Sequence, residues 1–152
     1  MKNILIAADH GGFALKEELK AYLKHKGFDV EDLGAFSEER CDYPEFAYRL
    51  ASKVGKSKSR RGILICKSGI GNSIVANRVP GARAALCHNE KCARLSREHN
   101  DSNILALGSL FVRPSQARKI TDVWLTTQFE GGRHRRRLNQ IKAIEQKIRS
   151  GK

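Results

Sequence analysis

No stretch of this 152-residue sequence approaches the roughly 20 consecutive apolar residues that a membrane-spanning helix requires, which excludes a helical membrane protein. The N-terminal stretch is not expected to be a secretory leader. "MKNILIAADHGG" has one Lys and a short apolar run, but Asp9 and His10 interrupt the run and no small-residue cleavage site follows. The stretch reads instead as a first β-strand. The four cysteines, Cys41, Cys66, Cys87 and Cys92, form no CxxC pair and have no flanking histidine pair at metal-ligand spacing, so structural zinc is disfavoured. The expected compartment is the reducing cytoplasm, where thiols stay free. Internal repeats, low-complexity segments and domain-splitting linkers are absent too. A single domain over residues 1–152 is expected, long enough to bury about 70% of the surface its unfolded chain would expose.

Acidic residues are scarce: 16 Asp and Glu stand against 29 Lys and Arg, a formal net charge of +13. Such a balance raises the question of a nucleic-acid partner. The charge lies in two clusters, "SKVGKSKSRRG" (52–62) and "GGRHRRRL" (131–138), the second continuing through Lys142, Lys147, Arg149 and Lys152. No aromatic residues are interleaved with either, as a base-stacking platform would need. A solvated basic surface with an anion site is favoured over a nucleic-acid-binding protein.

The apolar pattern alternates short β-rich runs with longer stretches of helical periodicity, the signature of βα units around a parallel sheet. The runs predict strands near 3–8, 29–33, 62–66, 82–87 and 103–107, and helices near 12–26, 44–55, 71–78, 90–98 and 115–127. In the first helix Phe13, Leu15, Leu19, Tyr22 and Leu23 share an apolar side, with Lys16, Glu17, Lys20 and Lys24 expected in water and Gly27 as the stop. Pro44 and Pro114 suit first helical turns. From 133 to 149 a helical arm carries Leu138, Ile141, Ile144 and Ile148 on one stripe, which must cap its own domain or lie across a second copy. The predicted class is an open, Rossmann-like, doubly wound five-stranded parallel α/β sheet with helices on both faces. Ligands bind such sheets outside the carboxyl ends of the strands, here Ala8-Asp9-His10 and Cys66.

"CKSGIG" (66–71) comes close to three phosphate-binding patterns and fails each. A Walker A loop would need glycines where Arg61 and Cys66 stand. The dinucleotide fingerprint would need a third glycine at Ile74. A cysteine-phosphatase loop would need arginine at Asn72. What remains is a strand-end cysteine before a glycine-rich turn into a helix. Such a turn presents N–H groups to an oxyanion, and the helix end with Lys67 beside it favours a thiolate at Cys66. An apolar, buried cysteine is the alternative. Asp9 either orders a sugar hydroxyl or caps the next helix. Tyr43 in "DYP" is a lid or a packing residue. Arg133, His134 and Arg137 can face one anion. His99-Asn100-Asp101, placed between the fourth helix and fifth strand, falls by ordinary βα geometry at the opposite end of the sheet from Cys66. A role for His99 therefore requires a neighbouring subunit or an irregular path.

Together, "ADHGGFALK", "GAFSEERCDYP", "GILICKSGIGNSIVANRVPGARAALC", "LSREHNDSNILALGS" and "FEGGRHRRRL" resemble, over almost the whole chain, the ribose-5-phosphate isomerase B and galactose-6-phosphate isomerase subunit family. The resemblance implies a cofactor-independent homodimer with active sites shared between subunits and the C-terminal helix packed on the partner; pairing of dimers into tetramers stays open. It implies an aldose–ketose isomerase acting on ribose 5-phosphate and ribulose 5-phosphate through a cis-enediol, or else on a six-carbon sugar phosphate such as allose 6-phosphate or galactose 6-phosphate. In that reading Cys66 is the general base, and His99 and Ser68 open the sugar ring. The N–H groups of Lys67, Ser68, Gly69, Ile70 and Gly71 hold the enediolate. Asp9, His10 and Asn100 contact the sugar, with Tyr43 beside them, and Arg133 and Arg137 bind phosphate. Relatives with a glutamate base carry glycine and glutamate where this chain has Cys66 and Asn72, which places it with the cysteine type. One departure stands out: after "LALGS" the family usually has an arginine that contacts the phosphate, and this chain has Leu110, with Arg113 three residues on.

Overall fold

A computed structural model describes residues 3–151; Met1, Lys2 and Lys152, which enter the leader and basic-tail arguments above, lie outside the described residues. The elements run β1 (Asn3–Ala8), α1 (Phe13–His25), β2 (Asp29–Asp32), α2 (Tyr43–Gly55), β3 (Arg61–Cys66), α3 (Ile70–Ala76), β4 (Ala84–Leu86), α4 (Glu90–Asn100), β5 (Ile104–Gly108), α5 (Pro114–Thr126) and α6 (Arg133–Arg149). Every expected element is there, with ends shifted by at most two residues. The strands pair in parallel in the order β2-β1-β3-β5-β4. Among the described residues no helix is long and apolar enough to cross a membrane.

Strand side chains alternate between two buried layers, as the pleat dictates. Ile4, Ile6, Ile63, Ile65, Leu105 and Leu107 pack with α1 and α5, including the fully buried Trp124. Leu5, Ala7, Leu64 and Ile104 face the other way onto Ala47, Leu50, Ala51 and Val54 of α2 and Ala76 of α3. Burial on both faces explains why these strands read as unbroken apolar runs.

Lys16 departs from expectation. It is fully buried, not in water. Its ammonium lies 2.8 and 2.6 Å from the two carboxylate oxygens of Asp32, and Lys20 reaches the same carboxylate at 2.7 Å. An amine can leave water there because Asp32, at the end of β2, supplies a paired charge. Burial raises the Asp32 pKa, but the hydrogen bonds from Lys16 and Lys20 outweigh it and hold the carboxyl below its ordinary value. Replacing Asp32 with Ala should cost about 3 kcal/mol, the low end for a broken buried pair, because Glu17 still lies 3.2 Å from the Lys16 amine. A carboxyl whose pKa falls on folding stabilises the fold above its unfolded pKa, about 4, and loses that contribution as pH drops through the folded value. Denaturant melts of wild type and variant should therefore differ fully at neutral pH and converge in acid.

At the C-terminal end of the fold, Ile141, Ile144 and Ile148 of α6 remain 52%, 57% and 74% exposed. The helix is tied to its own chain by Glu145, whose carboxylate accepts the Gly81 N–H at 3.1 Å. Its apolar stripe has no cover in the single chain.

Candidate active site

The strand order turns at β1 and β3: from β1 the chain winds to β2, and from β3 to β5 and β4. A crevice opens at such a switch point, beyond the carboxyl ends of the two strands. Two turns form its walls. After β1, the Asp9 carboxylate and carbonyl both accept the Gly12 N–H, at 3.1 and 3.2 Å. Asp9 thus braces the turn while staying nearly buried. Gly12 must be glycine, since a Cβ there would run into the Ile65 carbonyl. The side chain of Lys67 crosses Gly11, so closely that a Cβ on Gly11 would come 2.6 Å from Lys67 Cγ and 3.4 Å from the Asp9 carboxylate.

The second turn follows Cys66, the last residue of β3. Its thiol is 4% exposed and accepts the Gly69 N–H at 3.1 Å. Gly69 reaches that position with φ +77°, a conformation that suits glycine. The Ser68 hydroxyl accepts the Ile70 N–H at 3.2 Å. Two of the five N–H groups expected to face an oxyanion therefore already have acceptors within the turn. Behind it, Ser109 and Leu110 donate backbone N–H groups to the Cys66 and Lys67 carbonyls at 2.9 and 3.0 Å, and the Ser109 hydroxyl donates to the Gly11 carbonyl at 2.8 Å. The start of the β5–α5 loop thus locks both turns together.

Tyr43, in the first turn of α2, lies against Gly71, where an added Cβ would meet its hydroxyl at 2.7 Å. Its ring packs against the head of α3. Asp9, His10, Lys67 and Tyr43 line a common crevice with Arg40, Cys41 and Asp42. The backbone N–H of Cys41 sits 3.2 Å from His10 Nδ1 and its carbonyl 3.0 Å from it, which pins the 40–42 loop to the ring.

The remaining expected residues gather elsewhere. The fourth helix extends through Asn100, so His99 and Asn100 sit on its last turn and not in the following loop; Asp101 ends it with φ 45°. Asn103 then joins the amino ends of the strands: its carbonyl accepts the Gly62 N–H, and its N–H donates to the Arg83 carbonyl. The Glu130 N–H donates to the Glu98 carbonyl at 3.1 Å, which brings the start of α6 to the end of α4. There His99 stacks on His134 with ring centroids 4.3 Å apart and planes 13° from parallel. Burial, followed by the charge of Arg133 and the neighbouring His99, lowers the His134 pKa against the opposing pull of Glu130. Arg133 and Arg137 are exposed on the same first turns of α6. The expected residues thus fall into two groups in one chain: Asp9, His10, Tyr43 and the 66–71 turn at the carboxyl end of the sheet, and His99, Asn100, Arg133 and Arg137 at the amino end.

Residues 4–141 match the sequence profile described as Ribose/Galactose Isomerase. The chain belongs to the ribose/galactose isomerase family. It is an isomerase, and its relatives align end to end. Ribose-5-phosphate isomerase B of Escherichia coli (strain K12) is 48% identical over 147 residues, covering 97% of this chain and 99% of the relative. The solved ribose-5-phosphate isomerase B of Clostridium thermocellum superposes with a TM-score of 0.94 at 49% identity, over 96% of this chain and 99% of the other. The enzyme from Mycoplasma genitalium, solved with bound ribulose-5-phosphate, superposes with a TM-score of 0.91 at 46% identity, over 95% and 96% of the two chains.

Two residues of this isomerase escaped the sequence reading. Arg40 lines the crevice, and although it stands within "GAFSEERCDYP" it was given no role. Asn72, noted as the missing arginine of a phosphatase loop and as the place of the glutamate base in other relatives, is 1% exposed and its side-chain Nδ2 has no hydrogen-bond partner. A polar residue one step beyond a glycine turn was the available signal.

Proposed function

We propose that this family member interconverts ribose 5-phosphate and ribulose 5-phosphate through a cis-enediol, with Cys66 as the general base. The observation that carries the reading is the Cys66 thiol, held by the Gly69 N–H at 3.1 Å at a strand end next to Lys67, which lines the switch-point crevice. Moving a proton between C2 and C1 needs one acceptor held near both carbons and donors for the charge left on oxygen. Ser68 and the turn around it supply polar groups on that side. Asp9 and His10 stand where the sugar would enter.

The working site is completed by a second copy of the chain. His99 of the partner subunit would help open the sugar ring, Asn100 would hold it, and Arg133 and Arg137 would bind the phosphate. Two exposed apolar surfaces support such a dimer. One is the isoleucine stripe of α6; the other is Ile70 and Ile74 of α3, directly beyond the Cys66 turn and 52% and 53% exposed. Mutual burial would remove both from water. A thiol base suits a reducing cytoplasm.

Leu110 need not leave the phosphate short of a cation. Its N–H donates to the Lys67 carbonyl, so the place of the usual arginine adjoins a lysine. Lys67 has no ion-pair partner among the described residues, and with Arg40 it gives the crevice two positive side chains.

The test is a substrate panel: purified protein with ribose 5-phosphate, allose 6-phosphate and galactose 6-phosphate. The pentose phosphate should give the highest kcat/KM. Preference for either hexose phosphate would move the assignment to six-carbon substrates. Turnover of none, with salt-dependent binding of random oligonucleotides, would replace it with a nucleic-acid-binding role.

A further inference from the structure

His99, Glu130 and His134 each offer a ligand atom, and these atoms all lie within 4.8 Å of one another. Glu130 and His134 are the closest, with Oε2 and Nε2 3.3 Å apart. That is about the edge of a tetrahedron whose metal–ligand bonds are about 2.0–2.1 Å. A second observation points the same way. His134 is 5% exposed, and its buried Nε2 makes no aligned hydrogen bond, the Glu130 carboxylate at 3.3 Å included. A nitrogen left in that condition costs free energy unless something binds it. The framework around the three is fixed: Glu130 is pinned to Glu98 through its backbone, and the His134 N–H closes a turn onto the Gly131 carbonyl. Because an imidazole binds a metal in its own ring plane, the His99 ring must turn out of its near-parallel stack on His134 to share an ion with it, and His99, partly exposed on the last turn of α4, has room to do so.

We propose that His99, Glu130 and His134 form a three-ligand site for a divalent transition ion of the zinc class, and that filling it stops the isomerase. Two imidazoles and a carboxylate suit zinc, cobalt or copper and not magnesium or calcium, which take oxygen ligands. Three protein ligands leave a fourth position for water or a sugar hydroxyl. The positive side chains of Arg133 and Arg137 stand nearby, so the binding strength must come from the imidazole bonds and the Glu130 charge. The inhibitory half rests on the reading of His99 as a ring-opening group, because an imidazole nitrogen bound to metal cannot exchange a proton with the sugar.

The experiment titrates Co(II), whose tetrahedral complexes absorb in the visible, into full-length wild type, Glu130→Gln, His134→Gln and Cys66→Ser proteins, and follows Zn(II) inhibition of turnover in parallel. Wild type should bind a single Co(II) per chain. Glu130→Gln replaces an exposed carboxylate outside the reacting groups with an amide of the same size, so it should fold and turn over normally. Its metal affinity should fall by more than the ~10–100-fold that loss of an outer hydrogen-bond partner costs a site, with Zn(II) inhibition weakened to match. Cys66→Ser should bind Co(II) as wild type does. Binding unchanged in Glu130→Gln and His134→Gln, binding lost in Cys66→Ser, or no binding at all would each overturn the proposal. If the metal binds as described but wild type turns over no sugar phosphate, the site stands and the functional reading falls.

Discussion

Cys66→Ala should lower isomerase turnover by about 10²–10⁴-fold, the contribution of a positioned general base. The chain should still fold. The substitution removes one buried sulfur atom and leaves the Gly69 N–H without its acceptor, a loss of about 1–3 kcal/mol from a fold whose core lies elsewhere, in the two layers around the sheet. Cys66→Ser separates the two effects. Its hydroxyl can again accept from Gly69, so stability should recover while turnover stays low. Steady-state kinetics on ribose 5-phosphate, with circular dichroism to check the fold, reads both quantities. Near-normal turnover in Cys66→Ala would sink the thiol mechanism.

A mixing experiment should produce activity from two inactive proteins. In the proposed dimer, Cys66→Ala and His99→Asn would each spoil every site of their own homodimer, the first at the carboxyl end of the sheet and the second at the amino end. When the two chains are co-expressed, about half of the dimers are hybrids, and each hybrid carries one site with both residues intact and one with neither. About a quarter of wild-type activity should return. Purification on two different tags isolates the hybrid, which should show about half. A hybrid as inactive as its parents would mean that Cys66 and His99 do not meet across an interface. Full activity in the His99→Asn homodimer would remove His99 from the mechanism.

Both experiments depend on residues whose positions could be reasoned from sequence, and the reasons are physical. Strand ends were legible because a parallel strand buried on both faces is a continuous apolar run, and its last residue is followed by a glycine turn, as at Cys66. The opposite placement of His99 followed from βα geometry alone. Lys16 was not legible. It falls on the polar side of the α1 pattern, and its burial depends on Asp32, 16 residues away on a strand whose neighbour in the sheet no local pattern reveals. The length of α4 was missed for a related reason: "REHND" has no strong helix stop, and the helix ends only where Asp101 takes a positive φ and Asn103 joins the strand starts. The internal use of two N–H groups in the 66–71 turn was hidden too, because whether a donor faces a ligand or a neighbouring side chain is set by tenths of an ångström.

The Lys67 side chain lying across Gly11 ties two positions 56 residues apart into one mutational unit. Any side chain at position 11 must push the lysine stem aside, so a change that never touches substrate would act on the crevice's charge. Position 11 can vary freely only in chains that carry something smaller at 67, and the two sites should show epistasis: each substitution harmful or neutral according to what the other holds. A chain with lysine at residue 67 is thereby committed to glycine at the turn below it.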